Sequence, residues 1–517
     1  MQSSNSARLI LLTALLLGWL ADFFFYSQTL GISVPLFALL LLIALVGLGW
    51  REGISPLRAG LGLGVPLLFL ATMVFVRANL FVTTLNLLGS LALLGLLAHF
   101  YAAGRLTGLG LLGYPAVLIE TGLNALIRPA PLVAASADMA IVREQGRRNV
   151  LPLVRGLALA VPVLAIFTCF LASADLVFAG YVKDALNLEF LPNIFEWLWR
   201  GFLIVTIGWL LAGGLAYTFK RSHGDGQGLA EKVTGQLASF KFLGLVEVTT
   251  VLVLVDLLFL IFVVIQFAYL FGGQANIAVE GYSYAEYARR GFFELLAVSV
   301  LALGLILGLH RLGRRQPGPA THWFNGLSSL MVGLVLVILA SAFQRLMLYE
   351  AAFGYTELRL YSHIFMVWLA GTLLWFLLTL WGKPHFFALG AFGAALGFVL
   401  TINLINPDAF IARQNLARYQ AGGHFEATPF GSGSLESSFA RASDALDITY
   451  LAGLSDDVVP GLVAAWPHLD AVQRDSLQPH LITRRDRLAE QLPQQSWVSF
   501  HLARWRALTA LEQLPLD

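Results

Sequence analysis

Apolar runs long enough to cross a bilayer follow one another from Leu9 to about Asn406, and then they stop. A hydrocarbon core of about 30 Å is crossed by roughly 20 apolar residues in helix. Runs of this length dictate a bundle of membrane helices. The residues that follow, Pro407 to Asp517, are polar and soluble in character. Composition points the same way. The chain is 58% hydrophobic and 12% charged, against roughly 25% charged in ordinary soluble domains, and its mean hydropathy is +0.75. The expected fold class is all-α: a polytopic transmembrane helical bundle over residues 1–406, with a small C-terminal extramembrane α-helical domain over 407–517.

About eleven spans are expected, near 9–25, 33–50, 60–77, 80–100, 151–178, 197–219, 242–271, 291–310, 323–347, 362–382 and 386–405. The boundary at Arg77–Asn79 reads either as a loop between two spans or as a tight re-entrant turn. Segment 101–150 contains GLGLLGYPAVLIETGLNALI, broken by Gly, Pro and Glu120, and reads as a cytoplasmic or interfacial segment. No small-x-small cleavage site follows the first apolar run, so that run is expected to be retained as a span.

Orientation follows from Lys and Arg in the connections. One set carries Arg51 and Arg58, a cluster from Arg105 to Arg148, Lys220, Arg221, Lys232, Lys241, Arg311, Arg314, Arg315 and Lys383. The alternate set carries only Arg77, Lys183, Arg289, Arg290 and Arg359. The rich set is expected in the cytoplasm, which puts the N-terminus inside and the tail outside.

A formal net charge of +2, with the basic residues dispersed, argues against a nucleic-acid partner. The single cysteine, Cys169, excludes a disulfide framework or a Cys-based metal cluster within one chain. The sequence has no His-Glu-x-x-His, Gly-x-Ser-x-Gly, Walker lysine or dinucleotide fingerprint. No metal or cofactor is expected, and the reading leans away from an enzyme. Gly60-x-x-x-Gly64, Gly304-x-x-x-Gly308 and Gly393-x-x-x-Gly397 would permit close helix packing.

Ionisable residues inside spans are costly and become functional candidates on that ground. Asp256 lies near the expected mid-plane of LVEVTTVLVLVDLLFLIFVVIQ, with Glu247 nearer one surface on the opposite helix face. These two are candidates for an ion relay; the competing reading of Asp256 is a protonated or Ser/Thr-bonded carboxyl that locks two helices together. A second group gathers near the expected outer boundary as a candidate ligand site: Asp175, Glu286, Arg290, Glu294, Arg345, Glu350, Glu357 and Arg359. Glu286, Arg290 and Glu294 recur at helical spacing and read equally well as a solvated ion-pair stripe. Arg345, set in an apolar run, is expected to face the bundle and meet a carboxylate from another span, unless it snorkels. In the tail, Ser455-Asp456-Asp457 reads as a helix start, and Trp497, His501, Trp505 and Leu508 share one face at 3.6 spacing.

Several of these segments resemble a known group. FLASADLVFAG, YSYAEYARRGFFEL, QRLMLYEAAFGYTELRLY, NPDAFIARQNLARY and LDITYLAGLSDDVVPGL are similar to recurrent blocks of the bacterial polytopic membrane family catalogued as domain of unknown function 4173, a relative of 4153. The resemblance runs from about Leu151 into the tail and implies an integral membrane protein of the bacterial inner membrane. It brings no established activity and no catalytic residues. Three functional classes follow. The first is a non-enzymatic protein that binds or senses an envelope protein or lipid headgroup through its outer polar cluster and tail. The second is an ion- or proton-coupled transporter using Asp256 and Glu247. The third is a membrane-embedded enzyme acting on lipid or peptide.

Overall fold

The computed structural model describes residues 4–102, 104, 106–136, 167, 191–222, 242–271, 292–313, 319–420 and 446–515. Long helices account for ten of the eleven expected spans. They are α1 (Ser4–Phe25), α2 (Ser33–Arg51), α3 (Arg58–Val76), α4 (Leu80–Phe100), α7 (Leu191–Ser222), α8 (Leu245–Phe271), α9 (Phe292–Leu312), α10 (Pro319–Phe353), α11 (Glu357–Trp381) and α12 (Phe387–Ile405). The expected span 151–178 lies outside the described residues. The Arg77–Asn79 boundary is a true loop between two helices. The chain is a multi-pass membrane protein of all-α class, and an isolated Leu243–Gly313 bridge is the one β pairing among the described residues.

Within segment 101–150 the chain forms α5 (Gly113–Ile127) and α6 (Pro129–Ser136). Residues Gly113–Ser136 are long and apolar enough, by length and composition, to cross a membrane. Their contacts describe a pair that turns back. Tyr114 stacks on Phe392 near the start of α12, Trp209 donates to Leu126 O at 2.8 Å, and Arg8 donates to Ser136 O at 3.0 Å. Both ends of the pair therefore sit at the end of the bundle where α1 begins.

Four turns meet at the opposite end: 26–32, 77–79, 354–356 and Asn406. The tail rests on them, so this is the tail end, and the end holding Arg51, Arg221, Arg311 and Lys383 is the far end. Asn406 closes α12 in the left-handed region, φ 55°, where asparagine is the best-tolerated residue after glycine. Pro407 then starts α13 (Pro407–Gln420), so one residue swings the chain out of the span and onto its end. The tail continues as α14 (Ile448–Gly453), α15 (Val459–Ala465), α16 (Ala471–Gln494) and α17 (Leu502–Leu511).

The apolar core has three main parts. One unites α1–α7 with the start of α12. A second unites α8–α11. The third is the tail core, in which Leu451, Val458, Leu462, Leu477 and Leu511 pack with Val82, Leu360 and Ile402 of the spans. The last turn of the chain departs from the expected single face. Residues Trp497–Ser499 form a 3-10 turn and α17 begins only at Leu502, because His501 is extended. The buried face of α17 is Ala503, Ala507 and Leu511, while Trp497 and Trp505 stay exposed.

Close helix approach is concentrated at glycines outside the expected motifs. Gly18 of α1 meets Gly208 of α7 so tightly that a Cβ on Gly18 would lie 3.0 Å from the Gly208 nitrogen. Gly304, Gly308 and Gly393 face open space; only Gly60, Gly64 and Gly397 of the expected motifs touch a neighbouring element. Gly18→Val should force α1 and α7 apart and cost about 1–3 kcal/mol. Gly304→Val should be near neutral. Thermal unfolding in detergent separates the two.

Candidate functional site

The polar residues that converge most densely lie where the tail meets the span ends. Asn79 precedes α4 with extended backbone and caps it, its Oδ1 accepting from Val82 N at 3.1 Å. Its amide nitrogen faces the other way. It donates to Glu357 Oε1 at 2.5 Å, and to Asp408 Oδ1 and Oδ2 at 3.0 and 3.2 Å. One carboxamide thus joins the first turns of α4, α11 and α13. Asp408 is fully buried and also accepts from Ser455 N at 3.0 Å. Tyr450 accepts from Glu357 N through its hydroxyl at 2.9 Å.

Ser455-Asp456-Asp457 begins a helix as the spacing predicts, with Ser455 Oγ accepting from Asp457 N. The two aspartates then divide. Asp457 turns toward the spans, accepting from Ala78 N at 2.6 Å and Asn406 Nδ2 at 3.3 Å, with the Arg77 guanidinium 3.8 Å away. Arg77 itself is spent mainly on Asn403 O, at 2.6 and 2.9 Å. Asp456 turns into the tail, where Arg487 reaches it at 3.0 Å, Arg484 at 3.6 Å and Arg504 at 4.0 Å. Below this layer Asn86 of α4 and Asn403 of α12 exchange amide hydrogen bonds at 2.9 and 2.7 Å, both fully buried. The α1–α2 turn is held too. Ile32 N donates to Phe500 O at 2.9 Å, and Ser499 Oγ donates to Gln28 Oε1 at 2.9 Å.

Of the residues singled out from sequence, Glu357 belongs to this cluster. Glu350 is buried and accepts from His363 Nδ1 at 3.0 Å. Arg359 lies 4.0 Å over the Tyr349 ring and donates to Gly354 O at 2.5 Å. Arg345 is half-buried and donates to Gln266 Oε1 of α8 at 2.9 Å, so it does reach another span. Glu294 is exposed on α9. Asp175, Glu286 and Arg290 lie outside the described residues. Asp256 is buried in mid-span, and Glu247 is exposed in the first turn of α8. Asp22, near the tail end of α1, pairs with Arg200 of α7 at 2.6 Å. At the far end, the Tyr217 hydroxyl donates to Glu120 Oε1 at 3.0 Å and meets His99 Nδ1 at 2.7 Å.

A family model matches residues 64–465, most of the chain, under the description Domain of unknown function (DUF4153). The chain belongs to that family. The relative 4173, to which the sequence blocks pointed, is not the family matched, and the match begins well before Leu151. No curated protein and no solved structure matches the chain. In this DUF4153 protein the matched stretch includes Asn79, Glu357, Asp408 and Asp457. It ends before Arg484, Arg487 and the Ser499–Phe500 contact.

Among the shifted groups of the DUF4153 protein's tail, one carboxyl and one imidazole are moved in opposite senses within the range from about pH 4 to about 6. Burial raises Asp457 from 3.8 to about 6, outweighing Ala78 N and Arg77. Burial, reinforced by Arg504, lowers His501 from 6.5 to about 4. The folded-state value of Asp457 lies above the ordinary one, so its stabilisation is complete below 3.8 and is lost as pH rises through about 6. The folded-state value of His501 lies below the ordinary one, so its stabilisation is complete above 6.5 and is lost as pH falls through about 4. In the intact protein the two offset each other across this window. Asp457→Asn should therefore loosen the tail as pH falls from about 6 to 4, and His501→Gln should loosen it as pH rises over the same range. Hydrogen exchange at 455–458 reads both slopes.

Proposed function

We propose that this protein is a non-enzymatic membrane platform that presents its tail helices to a partner on the extracytoplasmic side of a bacterial inner membrane. The observation that carries the reading is that the tail hydrogen-bonds to all four turns at its end of the bundle: to Gln28 and Ile32, to Ala78 and Asn79, to Tyr355 through Asn415, and to Asn406 through Asp457. Such pairing supports a fixed surface better than a reaction centre, since the convergent carboxylates, amides and arginines are engaged in holding the fold. What faces outward is the remaining surface of α16 and α17, with Val472 and Trp505 exposed, while Trp497 lies against Phe23 and Phe24 of α1. The orientation is supported by the far end, which holds Arg51, Lys220, Arg221, Arg311 and Lys383, while the described span connections at the tail end contribute Arg77 and Arg359 and the sequence of the alternate connections adds Lys183, Arg289 and Arg290.

Two outcomes test this. In a Cys169→Ser background, a cysteine at Val472 should react with a membrane-impermeant maleimide in intact cells, and one at Ser222 should not. The reverse pattern would overturn the orientation. Asn79→Ala with Asp457→Ala should insert normally yet fail to complement a deletion strain, because the displayed surface loses its mount. Full complementation by that variant would contradict the platform.

A further inference from the structure

A carboxyl group sits in the middle of the most apolar span. The described span of α8 has a mean hydropathy of 3.0, and Asp256 lies eleven residues from Leu245, roughly 16 Å along the axis. Its side chain is on the buried face with Leu252 and Val263, in a core completed by Ile306 of α9 and Met331 and Val335 of α10. Asp256 is 4% exposed. Neither of its carboxyl oxygens has a hydrogen-bond partner among the described residues.

That geometry removes the helix-locking explanation. A carboxyl that pins two spans would be bonded across them, as Gln266 is to Ser341 and Arg345. The charged side chains of α8 and its neighbours stand at the helix ends. Glu247 is in the first turn of α8, His310 and Arg311 end α9, and His322 begins α10. Arg345 is held on Gln266, ten residues from Asp256 along α8, roughly 15 Å away. Among the described residues no cation is therefore placed to stabilise a carboxylate, and an unpaired carboxylate is strongly disfavoured in apolar surroundings.

The occupant follows from the same count of oxygens. Hard metal cations take several oxygen ligands at once. Asp256 offers two oxygens, and no group of three His, Cys, Asp or Glu fit to hold a metal is found among the described residues. A proton needs one oxygen. We propose that Asp256 is a reversible proton-binding site within the membrane. Release converts –COOH to –COO⁻, with the proton passing to water. Water must then reach the seam between α8 and α10, so proton release is coupled to an opening of that seam. This goes beyond the platform reading and does not rest on it.

The test uses the full chain in lipid nanodiscs. Dicyclohexylcarbodiimide attacks protonated carboxyls in apolar surroundings, and peptide mass spectrometry locates the adduct. Asp256 should be modified at low pH, with modification falling about tenfold for each pH unit above its midpoint. In parallel, the infrared C=O band of the protonated acid should disappear over the same range and be missing in Asp256→Asn. Glu247→Gln should leave both readouts unchanged. Modification and band that stay constant from about pH 5 to pH 10 would mean a permanently neutral side chain and would overturn the proposal. So would the lack of any Asp256 adduct or band at low pH. The labelling arm needs no variant, so a misfolded Asp256→Asn does not blunt it.

Discussion

A carboxylate withdrawn from water is costly without donors, and at the tail end of this bundle one carboxamide donates to two acids at once. Asn79 caps α4 with its oxygen and reaches Glu357 and Asp408 with its nitrogen. Each of those residues is in turn bonded further into the tail, Asp408 through its carboxyl to Ser455 N and Glu357 through its own N–H, which donates to the Tyr450 hydroxyl. Losing the amide would strip a helix cap and take a donor from both acids together, leaving Asp408 on Ser455 N alone among the described donors and Glu357 on the Tyr361 hydroxyl, and each lost bond costs about 1 kcal/mol. The position of the tail thus depends on a loop that lies 329 residues before Asp408 in the chain.

Around that bridge the polar layers are stacked by depth. Asp456 gathers arginines within the tail, Asp457 and Arg77 lie at the boundary, and the Asn86–Asn403 pair lies inside the helices. The last pair ties α4 of one lobe to α12, whose other flank packs on α11. Buried amides bonded in both directions satisfy each other without the desolvation cost of a charge. The tail core continues the arrangement apolarly, since Val82, Leu360 and Ile402 pack among tail leucines. Tail and bundle share one hydrophobic core there, so the tail is a cap and not a tethered domain.

Much of the architecture was legible because apolar run length is set by the bilayer, and each described run became a helix near its expected limits. The latch was less legible. Charge marks Asp256 inside a span and Glu357 at the outer boundary, whereas Asn79, Asn86 and Asn403 are neutral and carry no such mark. Asn79 did carry a local signal, an N-cap residue directly before an apolar run, yet its second role depends on partners far away in sequence. Asp408 stands in the first turn after Asn-Pro, where a helix start alone explains an acid. Arg345 was readable as inward-facing, whereas its Gln266 partner was not, because amides were not counted as partners. Helical spacing misled at Trp497–Trp505, where the extended residue His501 breaks the period.

The whole arrangement depends on the tail being fastened to the span turns. Gln28→Cys with Ser499→Cys, in a Cys169→Ser background, places two thiols where the native side chains are 2.9 Å apart. A short bis-methanethiosulfonate cross-linker, added to native membranes, should join them rapidly and almost completely, because the two positions are held within a side chain's length of each other. Two thiols that each react with a maleimide yet are never joined would contradict the docked tail.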